Sequence, residues 1–423
     1  MRIYKVIGVM SGTSLDGLDL AYCEFRERSG SEGSGISCER NVNRRGCESI
    51  GECNRDENSK SDERSKERRS DRCSGDGGWD FEIKQADIKP YSAEWRSRLQ
   101  NAPQMSGLEL SLLNVDYGHY TGRCINEFIK ENGLQPDFAA VHGHTVFHQP
   151  ARGLTLQTGD GAAIAAECGL PVVCNFRTTD VALGGQGAPL VPIGDMLLFG
   201  NYDYCLNLGG IANISYKAVE SDHKAATNNY AAAGSNNSGK CVAFDICICN
   251  MALNYLADRE GLQYDKDGEI ARTGSVNQDL LARMNALPFY STPPPKSLGT
   301  EWFNEYFKPL FTQNVPVKDL LATTVEHIAI QITTVISNTT TLIKLQNSTM
   351  FITGGGALNI YLMERIKAHT LVQIAEAPKQ LIDNKEALIF AFLGVLRMTN
   401  RPNALASVTG AKKDSIGGSI FLP

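Results

Sequence analysis

No stretch of this chain stays apolar for the roughly 20 residues that a membrane-spanning helix requires. Its first residues also lack the basic start, apolar core and small-residue cleavage site of a secretory leader. The expectation is a cytoplasmic protein with no membrane partner. Basic residues are in the minority too, 41 Lys and Arg against 47 Asp and Glu, for a net charge of −6. That balance argues against the broad cationic face a nucleic-acid partner would need, and leaves room for a local basic patch around a nucleotide. Regular cysteine spacing is missing as well. The twelve cysteines include no C-x₂-C pair, so neither a zinc site nor a disulfide framework is expected and the thiols read as reduced. Cys247 and Cys249 form a C-x-C pair whose simplest reading is packing, and Cys38, Cys47, Cys53 and Cys73 fall at unmatched separations inside a polar segment.

What the chain does have is a polar turn set between two apolar runs at its start. Lys5 to Met10 and Leu18 to Phe25 read as strands, and Ser11-Gly12-Thr13-Ser14-Leu15-Asp16-Gly17 joins them as a hairpin tip. Gly12 and Gly17 let a backbone approach an anion, and the hydroxyls and N–H groups between them can donate to phosphate oxygens. Asp16 or Asp19 can hold a Mg²⁺ ion through its waters. Nucleotide phosphotransfer is the leading reading and an ordinary polar turn the alternative.

A chain of 423 residues, 42% of them hydrophobic, is long enough for two cores. Residues 26 to about 78 are almost devoid of aliphatic side chains, so they are expected to be a disordered insertion extending a hairpin loop. A second polar segment, 219–240, separates two strand-like runs. Helical periodicity predicts helices over 107–131, 320–345 and 384–398. Each half carries its own glycine turn, which suggests two similar lobes. The expected division is 1–200, then 201–383, with 384–423 returning to the first lobe.

Further motifs carry candidate chemistry. Asp180 precedes Gly184-Gly185-Gln186-Gly187, a loop bare enough to let a small molecule reach the backbone. Spacing alone allows Asp180 to be a base, a cap, or a partner of Arg177. Leu206-Asn207-Leu208-Gly209-Gly210 has a strand and a glycine turn suited to phosphate contact. Ile352-Thr353-Gly354-Gly355-Gly356 does the same before a helix-like segment; it is not G-x-G-x-x-G, which disfavours a Rossmann oxidoreductase. His142, His144 and His148 permit a metal or a hydrogen-bonding reading. Asp160 can cap the segment after it. Glu386 reads as a first-turn acid of the last helix or as a cleft residue. Tyr264 to Gly268 is expected to be a helix-ending turn, because the full ligand pattern of a calcium loop is absent.

Seven stretches, in order, resemble the anhydro-N-acetylmuramic acid kinases of the sugar kinase, Hsp70 and actin superfamily. They are MSGTSLDGLD at 10–19, VHGHTVFHQP at 141–150, LQTGD at 156–160, NFRTTDVALGGQGAPLVP at 175–192, LNLGGIANIS at 206–215, PPKSLGTEWFN at 294–304 and ITGGGALN at 352–359. The resemblance implies an α/β, two-lobed actin/hexokinase-like (RNase H-like) fold with ATP in the interdomain cleft, Mg²⁺ as cofactor, and a homodimer. It implies that Asp180 is the catalytic base for water attacking the anhydro sugar, while O6 takes the γ-phosphoryl group. Gln157, Asp160, Gly185, Gln186, His142 and Glu386 would bind the sugar. Gly12, Thr13, Ser14, Leu15, Asp16, Gly17, Leu18, Asp19, Gly209, Gly210, Gly354, Gly355 and Gly356 would bind ATP, with Asp16 and Asp19 serving the metal.

Departures are visible. Asn207 stands where many superfamily members have aspartate, with Asp245 a candidate to compensate; Asn175 replaces an aspartate; and FDICICN at 244–250 replaces the usual FDTGPGN. They motivate one alternative, an inactive ATP-binding regulator; another sugar or acid kinase on the same scaffold is the other, since fold does not fix substrate.

Overall fold

Consecutive apolar residues within the first 27 positions present side chains to both faces of a strand, and the fold covers both. The computed structural model describes residues 2–12, 15–28, 73–74, 78–218, 240–312, 314–339 and 345–423. Strand β1 (Ile3–Ser11) pairs antiparallel with β2 (Gly17–Glu27), placing Gly8 opposite Ala21. The two-residue β3 (Cys73–Ser74) and the long β4 (Trp79–Pro90) extend this side, while β5 (Phe138–Val141) joins β1 in parallel. A separate hairpin, β6 (His144–Gln149) with β7 (Leu154–Thr158), projects beside the sheet. Parallel β8 (Val172–Cys174) comes next to β5.

The second sheet repeats that plan. Antiparallel β9 (Tyr204–Leu208), β10 (Ile211–Lys217) and β11 (Cys241–Ile248) are followed by parallel β12 (Thr349–Thr353) and β13 (Gln373–Ala375). The C-terminal β14 (Ser419–Phe421) then closes the first sheet beside β8. Spatial orders β4-β2-β1-β5-β8 and β11-β10-β9-β12-β13 are the same topology used twice. This is the two-lobed, duplicated RNase H-like architecture of the actin and hexokinase class.

One face of the first sheet is covered by the helix Gly107–Asn132. Ser106 and Glu109 form a reciprocal capping box at its start, and Gly133 ends it at φ 60°. Its Tyr117, Ile125 and Phe128 pack with Ile7, Val9 and Leu20. The opposite face takes the helix Lys379–Met398, whose Leu388, Phe392 and Leu396 pack with Val6, Phe25 and Trp79. Each such fully buried side chain contributes roughly 1.5–3 kcal/mol. The approach is close: a Cβ on Gly8 would stand 2.0 Å from the Ala387 carbonyl oxygen.

The helix begins five residues before the periodicity predicts. Lys379–Asn384 carries little apolar signal, and Pro378 marks the true start. Glu386 therefore lies in its third turn and is not a first-turn acid. In the second lobe the helix Val317–Thr339 replaces the expected 320–345, residues 340–344 lying outside the described set. Its length and composition would suit a membrane span, contrary to the sequence reading, yet Leu321, Val325, Ile328 and Ile332 sit in the second-lobe core. The Tyr264–Gly268 segment opens a helix instead of ending one, because Asp265 accepts from the N–H groups of Ile270 and Ala271. Glu27 pairs with Trp79 across the first polar insertion, so Arg26 and Glu27 belong to β2. Most of both insertions, like Thr13 and Ser14, lies outside the described residues.

Candidate active site

The start of β2 and the later part of β4, at Asp19 and Ala86–Ile88, lie opposite the glycine turns of the second lobe. Between them is a cleft of about 560 Å³ lined by Asp19, Asp87, Asn207, Gly209, Gly354, Gly355, Lys385 and Glu386. Of the residues that the sequence assigns to ATP, Asp19, Gly209, Gly354 and Gly355 meet here. Gly354 has φ 84°, and a Cβ on it would stand 2.6 Å from Asn207 Oδ1 and 2.8 Å from the Leu208 carbonyl oxygen. Only glycine lets the two turns come this close. Asn250 stitches them further, its Nδ2 donating to the Leu208 carbonyl at 2.9 Å.

The glycine run does not sit at a long helix's N-terminus, as its sequence suggests. A short 3₁₀ turn over Gly355–Leu358 intervenes, and the helix Ile360–His369 starts after Asn359, which caps it. Leu18 is buried in the first-lobe core, so only its backbone is available to a nucleotide. Leu15 takes φ 59° and packs partly against the same core. Gly17 packs against the Lys89 carbonyl. Gly12 and Asp16 stay at the hairpin tip, and Gly210 is exposed at its own turn.

Asp19 titrates at about 6, raised first by burial and then by Glu386 and Asp16. Burial also raises Glu386, against the pull of Arg177 and Lys385. Among the described residues no three His, Cys, Asp or Glu side chains converge to hold a metal by themselves. Mg²⁺ needs less, since it is held by one or two carboxylates together with waters and substrate phosphates. The acidic set of Asp19, Asp16 and Glu386 fits that demand. Asp245 does not compensate for Asn207 at the cleft: its Oδ2 accepts from the Leu298 N–H at 2.8 Å, holding the 296–298 segment.

A second group lies on the first-lobe side. Asp180 is fully buried; its Oδ2 accepts from the Gly187 N–H and its Oδ1 from the Thr409 hydroxyl, each at 2.7 Å. A Cβ on Gly185 would stand 2.2 Å from that Oδ2. Arg177 does not pair with Asp180. Its Nη1 donates to the Gly187 carbonyl at 2.7 Å, and its Nε and Nη2 donate to His142 Nε2 at 3.0 and 2.9 Å. Burial holds Arg177 near 10, opposed by Glu386. It pushes His142 well below the usual histidine range, with Arg177 adding to the shift. The imidazole is thus a neutral acceptor for a buried cation, which removes the metal reading for His142. Arg177 thus braces the Gly187 turn beside Asp180, and its charge is also felt at Glu386.

Other sugar-side candidates stand apart. Asp160 caps the helix Gly161–Cys168, its Oδ1 accepting from Ala163 N–H at 2.9 Å, so the capping reading is the one realised. Gln157 is buried on β7 and donates to Thr155 Oγ1 at 2.9 Å. Gln186 is exposed, its backbone N–H donating to the Thr409 carbonyl at 2.8 Å. His144 Nδ1 lies 3.4 Å from Ser11 Oγ, which contacts Tyr91 OH at 2.8 Å. Asn175 takes φ 59°, a left-handed position that asparagine tolerates better than most residues, so its amide has a backbone use. In FDICICN, Ile246, Cys247, Ile248 and Cys249 are all buried: the altered motif prolongs β11 into the core and lies outside the cleft lining. Thr409 and Lys385 are the residues that sequence reading missed.

The family model described as anhydro-N-acetylmuramic acid kinase matches residues 79–423. Among curated proteins, the anhydro-N-acetylmuramic acid kinase of Gloeobacter violaceus is 35% identical over 76% of this chain and 86% of that protein. The protein of the same name from Photobacterium profundum is 31% identical over 100% of this chain and 99% of its own length. That from Methylorubrum populi is 30% identical over 100% of both.

Proposed function

The chain belongs to the anhydro-N-acetylmuramic acid kinase family, and from that membership we propose that it opens 1,6-anhydro-N-acetylmuramic acid with water while phosphorylating the released O6 from ATP. The kinase assignment and the small anhydro amino sugar as acceptor follow from the family. The coupled hydrolysis is our reading of the site. The observation that carries it is the presence of two distinct chemical groups: an acidic, glycine-walled cleft, and a carboxylate fixed by two donors on a loop that Arg177 braces.

Asp180 takes a proton from water as the water oxygen bonds to the anomeric carbon. The C1–O6 bond breaks, its electron pair staying on O6, and O6 bonds the γ-phosphorus as the bond to ADP breaks. The donors on Asp180 leave the carboxylate little freedom, so base and water are oriented before reaction. Arg177 holds the Gly187 carbonyl and thereby the N–H that fixes Asp180. The turns at Gly209 and Gly354 offer backbone to the phosphates, where positioning supplies most of the acceleration. Mg²⁺, held by Asp19 with Asp16 and Glu386 nearby, would neutralise phosphate charge when bound. Complete burial of Asp180 means that water and sugar reach it only when the lobes, or the Gly184–Gly187 loop, move. A cytoplasmic homodimer in cell-wall recycling completes the proposal.

The test is ADP release with ATP, Mg²⁺ and the anhydro sugar in ¹⁸O-water, with mass analysis of the product. One ¹⁸O at the anomeric position, and loss of turnover in Asp180→Asn, supports coupled hydrolysis. Turnover without ¹⁸O uptake, or only with open-chain acceptors, moves the assignment to a simple sugar kinase.

A further inference from the structure

A charged pair is buried where the first lobe's chain passes into the second. Asp195 lies on the connecting helix Val191–Leu198, which follows the Asp180 loop and precedes β9. Lys385 Nζ stands 2.8 Å from Asp195 Oδ1, with the side chains only 5% and 8% exposed. Asp195 Oδ2 accepts from the hydroxyl of Ser215 at 2.7 Å, and Ser215 is on β10 of the second lobe, the strand that leaves the Gly209-Gly210 turn. Lys385 itself belongs to the return helix that covers the first sheet. Its ammonium also lies 5.4 Å from the Phe199 ring centre and 5.8 Å from that of Phe351, which stack on one another across the junction. Three elements from both lobes therefore converge on one carboxylate.

Burying two opposite charges is a weak source of stability, because the desolvation cost offsets most of their attraction and an apolar pair of similar volume would hold as well. What such a pair supplies is direction: a short ion pair with a hydroxyl on the second oxygen permits one arrangement of three elements, whereas an apolar contact slides. The next residue after Lys385 is Glu386, about 100° further around the helix, and it lines the cleft together with Asp19. Holding Lys385 against the connector thus sets how Glu386 is presented to the cleft. Holding Ser215 sets the second phosphate turn relative to both.

We propose that Lys385 and Asp195, with Ser215, are positioning residues for phosphoryl transfer, pinning the lobe junction so that closure brings Glu386 and the Gly209-Gly210 turn into register. The inference rests on the phosphotransfer reading above. It assigns none of the three to contact with reacting atoms.

The experiment compares wild type, Lys385→Met/Asp195→Leu and Ser215→Ala, with Arg272→Met, which removes an exposed second-lobe ion pair, as the reference. Two quantities are read at a temperature where all are folded: kcat and KM for ATP, and the fall in radius of gyration by small-angle scattering when a non-hydrolysable ATP analogue and Mg²⁺ are added. The expected result is a kcat lowered about tenfold or more in the double variant and a few-fold in Ser215→Ala. KM should change little, closure should be diminished, and Arg272→Met should behave as wild type. Wild-type kcat and wild-type closure in either variant overturn the proposal. If the double variant does not fold, Ser215→Ala decides alone, since it leaves the ion pair intact. Should wild type close on the analogue but turn over no anhydro sugar, the substrate reading fails while closure still judges the pin.

Discussion

The hydroxyl of Thr409 donates to Oδ1 of Asp180 at 2.7 Å across 229 residues of sequence. With Gly187 N–H on the other oxygen, it leaves the carboxylate one orientation. A hydrogen bond to a charged group contributes about 1.5–3 kcal/mol, so Thr409→Val is expected to lower kcat about tenfold to a hundredfold while the protein still melts cooperatively. Thr409→Ser should keep most of the rate. Steady-state kinetics on both variants check this; a rate kept in Val and lost in Ser would show that the methyl group matters instead.

Gly185 walls the same carboxylate. A Cβ there would lie 2.2 Å from Asp180 Oδ2, closer than any van der Waals contact allows. Gly185→Ala should therefore displace Asp180 or its loop and reduce kcat by more than about a hundredfold, with a smaller effect on melting temperature because the loop can shift. Activity near wild type would mean that Asp180 does not act from this position.

The stability of the second lobe should depend on pH through Asp245. Burial raises it to about 6 from 3.8, and only the Leu298 N–H opposes the shift. A carboxyl whose folded-state affinity for protons is raised favours the fold when protonated. Its contribution is fully present below about pH 3.8 and is lost as pH rises through about 6. Asp245→Asn should remove this dependence, melting higher than wild type at pH 7.5 and level with it near pH 3.5. Parallel melting curves across that window would refute the assignment.

The return helix lies against β1 without room for a side chain at Gly8, where a Cβ would be 2.0 Å from the Ala387 carbonyl oxygen. Gly8→Ala is expected to cost about 1–3 kcal/mol or more from overpacking, read as a lowered midpoint in urea. Because the same helix carries Lys385 and Glu386, kcat should fall in the protein that remains folded. An unchanged midpoint would mean that the helix can lift away freely.

Much of the fold was legible from local patterns. The hairpin around Gly12–Gly17, the capped helix Gly107–Asn132 and the paired flanks of both polar segments follow from periodicity and turn chemistry over a dozen residues or so. The glycine turns at Gly209 and Gly354 were legible as turns, and their meeting was not, because nothing local states that Gly354 must be bare for Asn207. Asp160 was open to two readings, since a capping acid and a binding acid look alike until the N–H of Ala163 is in place. The start of the return helix was missed because Lys379–Asn384 offers only Leu381 and Ile382 among four polar residues, too short an apolar signal to set a boundary.

The sequence by itself determined the two hydrophobic patterns, the places where the backbone must turn, and, through seven ordered motifs, the family. Those are properties of neighbours along the chain, set by side-chain shape, turn chemistry and apolar spacing. The tertiary structure alone decided that Thr409 and Gly187 hold Asp180, that Arg177 serves His142 and Gly187 in place of Asp180, and that Lys385 meets Asp195 at the lobe junction. Each of these joins residues from separate elements. Burial removes the water that would otherwise satisfy such groups, so their partners are chosen by where packing brings the elements together.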